Sequence, residues 1–263
     1  MKRYFFIIWI LSLWNAPFAF GLTADEIIEE VRKKPFPISG KSVVVLKVFK
    51  DDHVSINNIS FITKRSKDFT SGKMLVSVTR PSRLKILIHV KENSHTNQWV
   101  KLSSGKVKRI IGIHKLQSFI HSHFSIGGLK PSENIILSWK TEYNKYFKAK
   151  NLGIVNMLGY ECYKIEARPK EINLVKEINI EYDRMEVFLR VSDYFPVRSN
   201  FYVEGKLIKY MENHKIKMVG KYPTPFKVIM FIPDSDEKSE IHVKSIKYDI
   251  KLFNKKFSKE ALR

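Results

Sequence analysis

Gln98–Leu129, QWVKLSSGKVKRIIGIHKLQSFIHSHFSIGGL, begins in strict alternation. Trp99 and Lys101 fall on one face of an extended segment, Val100 and Leu102 on the other. Ser103-Ser104-Gly105 breaks the run as a turn, and Lys106-Val107-Lys108-Arg109-Ile110 resumes it. Trp99–Ile111 is therefore expected to be a β-hairpin with a basic returning strand. Beyond it the periodicity is lost: His114, Phe119, His121, His123 and Phe124 precede Gly127-Gly128. An irregular stretch of this length inside a compact domain is either a functional segment or disordered, and its aromatics argue against disorder.

Strand patterns flank this stretch on both sides. Upstream, Lys41–Lys50 is a β-branched run with two apolar faces, expected to be covered on both sides. Ser55–Lys64 and Lys73–Thr79 follow. In Leu84–Val90 the residues Leu84, Ile86, Ile88 and Val90 share one face. Downstream, strands are expected at Glu142–Lys150, Tyr160–Ala167, Glu181–Val191, Phe195–Glu204, Lys206–Asn213, Phe226–Ile232 and Ile241–Asp249. Leu158-Gly159 and Glu204-Gly205 are hairpin turn signals. Short turns without intervening helices make an antiparallel sheet. Leu22–Lys34 is the best helix: Thr23 can cap it, Glu26 sits three residues on, and Ile27, Ile28 and Val31 form a stripe. Pro131–Trp139 is expected to be a second, short helix. About ten strands are too many for a flat sheet, so the fold class is mainly antiparallel β, strongly curved.

At the start of the chain, Lys2-Arg3, the apolar run Tyr4–Leu13, and Ala19-Phe20-Gly21 after Pro17 have the order of a secretory signal. The run is shorter than the ~20 residues of a membrane span. Residues 1–21 are expected to be a signal peptide cleaved near Gly21, and residues 22–263 a single domain in the periplasm. Cys162 is the sole cysteine, so no internal disulfide forms, and none lies near the cleavage site.

The chain carries a net charge of +21, and loss of Lys2 and Arg3, with no acid, lowers it to +19. So basic a balance points to anionic partners. Export removes nucleic acid from consideration and leaves anionic membrane surfaces. A lysine-rich, Ile- and Asn-rich composition is equally what a generic charge coat would show. Lys101, Lys106, Lys108 and Arg109 are the candidates for contact with anionic headgroups.

Catalytic chemistry finds little footing. His114, His121 and His123 have metal-ligand spacing, but no Asp, Glu or Cys lies between Gly112 and Pro131, and ordinary loop histidines are expected. There is no Gly-x-Ser-x-Gly elbow and no phosphate-cradling glycine loop. Cys162, between Glu161 and Tyr163 in a strand pattern, reads as a buried, inert thiol. Neither enzyme activity nor a metal or other cofactor is expected.

Three groups of residues carry a resemblance. The first is Trp99, Val100 and Leu102, then Lys108-Arg109-Ile110, then Phe119 through Ser125 with Leu129. The second is Leu158-Gly159-Tyr160-Glu161-Cys162-Tyr163-Lys164-Ile165-Glu166 with Pro169-Lys170. The third is Asp193-Tyr194-Phe195-Pro196-Val197-Arg198, followed by Phe201-Tyr202 and Gly205-Lys206-Leu207-Ile208-Lys209. In order and spacing, from about Thr23 onward, the chain resembles the outer-membrane lipoprotein-sorting family of LolA/LolB-type carriers. The resemblance implies an unclosed half-barrel around a few short helices, with a lipid-sized apolar cavity between them. Leu84, Ile86 and Ile88, with Trp99 on the next strand, are expected to line it, together with Phe119, Phe124, Met185, Phe201 and Met230. The implied function is that of a periplasmic carrier for the acyl chains of a lipoprotein or lipid in transit to the outer membrane. The alternative is a non-enzymatic module that docks on an inner-membrane transporter or another envelope protein. Export is expected to give a mature chain that begins near Leu22 and is released by osmotic shock. N-terminal sequencing of the released protein checks this; Met1 retained in the membrane fraction would contradict it.

Overall fold

Helix α1 (Ala24–Lys33) starts where its cap dictates. In the computed structural model, which describes residues 21–81, 83–90, 96–110, 122–124, 146–171 and 182–262, the Thr23 hydroxyl accepts from the Glu26 N–H at 3.3 Å. The Glu26 carboxylate accepts from the Thr23 N–H at 2.7 Å. This reciprocal pair satisfies two donors that a helix start leaves orphaned. Pro35 forces Lys34 into extended backbone and ends the helix.

The strands are β1 (Ser39–Lys50), β2 (His53–Arg65), β3 (Gly72–Arg80), β4 (Leu84–Val90), β5 (Thr96–Lys101), β6 (Val107–Ile110), β7 (Phe147–Met157), β8 (Tyr160–Pro169), β9 (Arg184–Arg190), β10 (Pro196–Val203), β11 (Lys206–Val219), β12 (Tyr222–Ile232) and β13 (Glu237–Tyr248). They form one antiparallel sheet in the order β6-β5-β4-β3-β2-β1-β13-β12-β11-β10-β9-β8-β7, an unclosed, curved half-barrel with β6 and β7 as its edges. Two meanders thus meet at the β1–β13 seam. The hairpin turns are those the dipeptides predict: Leu158-Gly159 and Glu204-Gly205 both have positive φ, where glycine is unstrained.

Thirteen strands form the sheet. The round figure of about ten undercounts the expected segments, which also come to thirteen when the Trp99–Ile111 hairpin is counted as its two strands. β12 begins earlier than expected, at Tyr222, despite Pro223 and Pro225. Pro223 and Pro225 face β11, while pairing with β13 begins at Lys227, so the missing N–H groups interrupt no second ladder. The expected Pro131–Trp139 helix lies outside the described residues. After β13 the chain continues as two 3₁₀ turns, Asn254–Phe257 and Lys259–Leu262.

One face of this sheet is largely apolar, with a few buried polar residues among the apolar ones. Val48 pairs with Ser239, Ser239 with Met230, Met230 with Met211, Met211 with Ser199, Ser199 with Val187 and Val187 with Ile165. In the other direction Val44 pairs with Ile59, Ile59 with Val78 and Val78 with Leu84. Because side chains alternate with period two, all of these residues share one face. Ile27, Ile28 and Val31 of α1 pack on its β7–β11 half, against Ile165, Met185, Val187 and Phe201. We call this the inner face. β1 is buried on this side through Val44, Leu46 and Val48, whereas Val43 and Val45 on its other side are only half-buried.

The outer face divides in two. Over β2–β5 it carries a small apolar cluster of Ile62, Leu75, Leu87 and Trp99, covered by Leu252, Phe257 and Leu262 of the C-terminal segment. Over β8–β13 it is mostly a charged lattice, beside a buried apolar cluster of Cys162, Phe188 and Val197. Glu186 accepts from Tyr202 Oη at 2.8 Å, Lys164 Nζ at 3.0 Å and Arg184 Nη1 at 2.9 Å. Glu240 meets His242, Lys227 and Lys238, Glu212 meets Arg198 and His214, and Glu166 meets Arg168. Burial pushes Glu186 and Glu240 up, but the hydrogen bonds from Tyr202, Lys164 and Asn200, and from His242 and Lys227, outweigh it and hold both below the usual carboxylate value. The Arg168 hydrogen bond does the same for Glu166.

A depressed carboxylate contributes stability that is complete above its unfolded value of 4.5 and disappears as pH falls through the lower folded value. Thermal unfolding is therefore expected to hold steady from neutrality down to about pH 5 and to fall steeply below 4.5. Glu186→Gln should flatten that acid limb; a variant with an unchanged acid limb would show that the lattice is not its origin.

Candidate functional site on the inner face

The sequence-derived cavity residues meet unequal fates. Ile86 and Ile88 are buried in a cluster with Val44, Leu46, Val48, Ile59, Val76 and Val78, and Leu84 packs against it. Met185 and Phe201 belong to the cluster under α1. Met230 shares the same face at the seam, 1% exposed. These residues come from strands far apart in sequence, yet register brings them onto one surface.

Trp99 does not join them. β5 pairs with β4 so that Val100 lies opposite Ile86 and Trp99 opposite Leu87. Trp99 is therefore on the outer face, edge-on to the His89 ring at 5.1 Å and under Lys259. The alternation within β5 was legible, but its offset against β4 was not. Phe119 lies outside the described residues.

Phe124 is half-buried and packs against the cluster of Ile86 and Ile88. What holds it there is its neighbour. The His123 N–H donates to Ser239 Oγ at 3.1 Å, the ring Nδ1 meets the same oxygen at 2.8 Å, and Nε2 meets Glu237 at 2.8 Å. With the ring protonated at Nε2, the Ser239 O–H donates to Nδ1 and Nε2–H donates to Glu237, so each donor has an acceptor. The His123 hydrogen bond also holds Glu237 below the usual carboxylate value. Ser239 is wholly buried and lies in β13, the middle strand of the sheet order. Residues 122–124 are thus pinned over the seam, between the two apolar clusters. No sequence signal marks Ser239 or Glu237, which stand more than a hundred residues from His123.

Serine, histidine and a carboxylate in a row also form the hydrolase constellation. Here Ser239 has no exposed surface, and its oxygen already accepts the His123 N–H. The arrangement suits anchoring rather than attack on a substrate. His114 and His121 lie outside the described residues. Among the described residues there is no group of three or more His, Cys, Asp or Glu able to hold a metal. The Cys162 thiol is buried, and burial pushes it up to about 11, as an inert thiol should be.

The inner face is not wholly dry chemistry. Ser199 and Gln98 are buried on it, and Ser199 Oγ and Gln98 Oε1 have no hydrogen-bond partner among the described residues. A cleft of about 430 Å³ between the start of α1 and the β7 bulge, lined by Leu22, Thr23, Ala24, Asn151 and Gly153, is open and partly polar. It is not the apolar cavity expected.

The four basic candidates do not share one face. Lys108 lies opposite Val100, on the inner side, whereas Arg109 lies opposite Trp99 and Lys101 opposite Lys85, on the outer side. Lys106, Lys108 and Arg109 are exposed and Lys101 is half-buried. Arg109 also donates to Asn97 Oδ1 at 2.7 Å.

Ser239→Ala leaves the part-buried His123 N–H and a ring nitrogen without their partner. A loss of about 1–3 kcal/mol in urea denaturation is expected, with unchanged far-ultraviolet circular dichroism. No measurable loss would mean that this contact is not an anchor.

Comparison with known proteins supports the fold. Over 90% of this chain and 96% of the other, it superposes on a DUF1329 family protein from Desulfovibrio piger with a TM-score of 0.76 and 20% identity. A Vibrio parahaemolyticus domain named for outer membrane lipoprotein sorting gives 0.71 and 18%, over 89% of this chain and 96% of that one. A LolA superfamily protein from Nitrosomonas europaea gives 0.62 and 18%, over 92% and 100%. No curated protein matches the chain. Residues 70–263 match the model of a family described as an uncharacterized protein. The chain belongs to that family, and its fold is that of the outer-membrane lipoprotein-sorting, LolA-like proteins.

Proposed function

We propose that this protein is a periplasmic carrier that takes acyl chains of a lipoprotein or lipid against the inner face of its sheet. The observation that carries the reading is the largely apolar face from Leu84, Ile86 and Ile88 through Met230 to Met185 and Phe201, crossed at the seam by Phe124. The shared fold agrees with it. In this reading Phe124 covers apolar surface that cargo covers when bound, and the anchored His123 sets its position. Burial of methylenes at ~0.8 kcal/mol each supplies the driving force, on the order of 10 kcal/mol for one chain of ~14 carbons before the costs of association. Met185 and Met230 suit a surface that adapts to chains of different shape. The orphaned Ser199 hydroxyl and Gln98 carboxamide oxygen offer contacts to the polar end of such a ligand or to water that accompanies it. Transfer of this kind needs no covalent step, so the protein is read as a non-enzyme.

The test uses the mature chain and a fluorescent fatty-acid probe. The wild type is expected to bind it. Phe124→Ala should keep the fold by circular dichroism and bind the probe several-fold tighter, because the side chain that competes for the surface is gone. Ile86→Glu should lose binding, and refolding traces identify any portion that fails to fold. A folded wild type that binds no acyl probe would overturn the proposal. So would a Phe124→Ala variant that is destabilised by ~3–5 kcal/mol, as a plain core deletion is, with its probe affinity unchanged.

A further inference from the structure

The net charge is not spread evenly. Over β8–β13 the outer-face cations stand against Glu166, Glu186, Glu212 and Glu240, each of them ion-paired. Strands β2 to β6, in contrast, contain no Asp or Glu at all. Register places Lys64, Lys73, Lys85, Lys101 and Arg109 on the outer side of those strands, the side of Leu75, Leu87 and Trp99. The C-terminal segment lies over this same side. Lys64 Nζ donates to Leu252 O at 3.0 Å, His89 Nε2 meets Phe257 O at 2.7 Å, and Lys259 Nζ stands 5.2 Å from the Trp99 ring centroid.

This segment is amphipathic in an unusual way. It buries Leu252, Phe257 and Leu262 against the sheet. Outward it presents Lys251, Lys255, Lys256 and Lys259, with Glu260 as the lone acid from Ile250 to Leu262. Among these lysines stands Phe253, 56% exposed, with Lys251 Nζ 5.6 Å from its ring centroid. Arg109 is opposite Trp99 on the neighbouring strand, so it adjoins the tail cation Lys259, which stands over the Trp99 ring. Such a cluster repels itself in the free protein and is relieved when anions neutralise it.

We infer that the C-terminal segment Ile250–Leu262, with exposed Arg109 of the adjoining edge strand β6, is a docking surface for an anionic phospholipid bilayer, into which Phe253 inserts. An exposed aromatic ringed by lysines fits a bilayer interface: the ring enters the acyl boundary while flexible ammonium groups reach the phosphates. A folded acidic partner would instead favour planar, paired arginines, and here the outward cations of the tail are all lysine. The surface lies on the face opposite to the acyl-binding one, and its claim stands apart from the carrier reading.

The experiment is co-flotation of the mature chain with phosphatidylcholine vesicles, with and without phosphatidylglycerol, across a salt series. Binding is expected only with phosphatidylglycerol and should weaken as salt rises. Lys255→Gln/Lys256→Gln should lower the partition coefficient on the order of 10-fold or more, from roughly tenfold per 1.4 kcal/mol and about 1 kcal/mol per basic residue. Lys148→Gln/Lys150→Gln, the same charge change on the far edge strand β7, should alter it less than about twofold. Phe253→Ser should weaken binding and leave the remainder more salt-sensitive. The tail variants should leave fatty-acid probe affinity unchanged, which separates failure here from failure of the carrier function. Equal losses from the two lysine pairs would reduce the effect to net charge and overturn the proposal. So would binding indifferent to Phe253 and the tail lysines, or tail-dependent binding to polyaspartate but not to phosphatidylglycerol vesicles.

Discussion

A thirteen-stranded sheet with one largely apolar face has to cover that face, and the rest of the molecule follows from this requirement. A single sheet has no second sheet to pack against, and antiparallel strands of this number curl rather than stay flat. Curling brings the two apolar halves of the inner face round a shared concavity. α1 fills the half over β7–β11 with Ile27, Ile28 and Val31, which explains why a ten-residue helix is so firmly capped at Thr23. The half over β1–β5 has no helix of its own among the described residues. There, Phe124 is the described residue from outside the sheet that packs on the cluster.

The means of holding Phe124 are polar, and this is the natural complement of an apolar surface. Apolar contacts are non-directional, so they keep a segment down without fixing where it lies. Hydrogen bonds to Ser239 and Glu237 fix it, because a buried serine in the central strand accepts from one backbone donor and engages one ring nitrogen. In the proposed carrier this division would let the apolar part be replaced by a ligand while a few directed contacts keep the register.

Charge is organised by the same sheet. On the outer face of β8–β13, glutamates sunk among lysine, arginine and tyrosine side chains remain ionised because hydrogen bonds outweigh their desolvation. Strands β2–β6 contain no acidic residue, and the C-terminal segment adds four lysines against one glutamate. A strongly basic composition can arise from a uniform coat or from a polarised one. The two differ physically, since only the polarised form creates a field with a direction.

The amino-acid order alone determined what depends on near neighbours. Period-two alternation placed Leu84, Ile86 and Ile88 on one face, Thr23 and Glu26 defined the start of α1, and Leu158-Gly159 and Glu204-Gly205 marked their turns, because each rests on contacts within a few residues. The order of three motifs made the carrier fold legible as well. Strand offsets belonged to the tertiary structure. A shift of one residue between β4 and β5 exchanges Val100 for Trp99 opposite Ile86, and nothing within β5 records that choice. The union of His123 with Ser239 and Glu237, and the burial of the C-terminal segment on Leu87 and Trp99, likewise join residues more than a hundred positions apart, where only the closed register of the whole sheet decides which side chains meet.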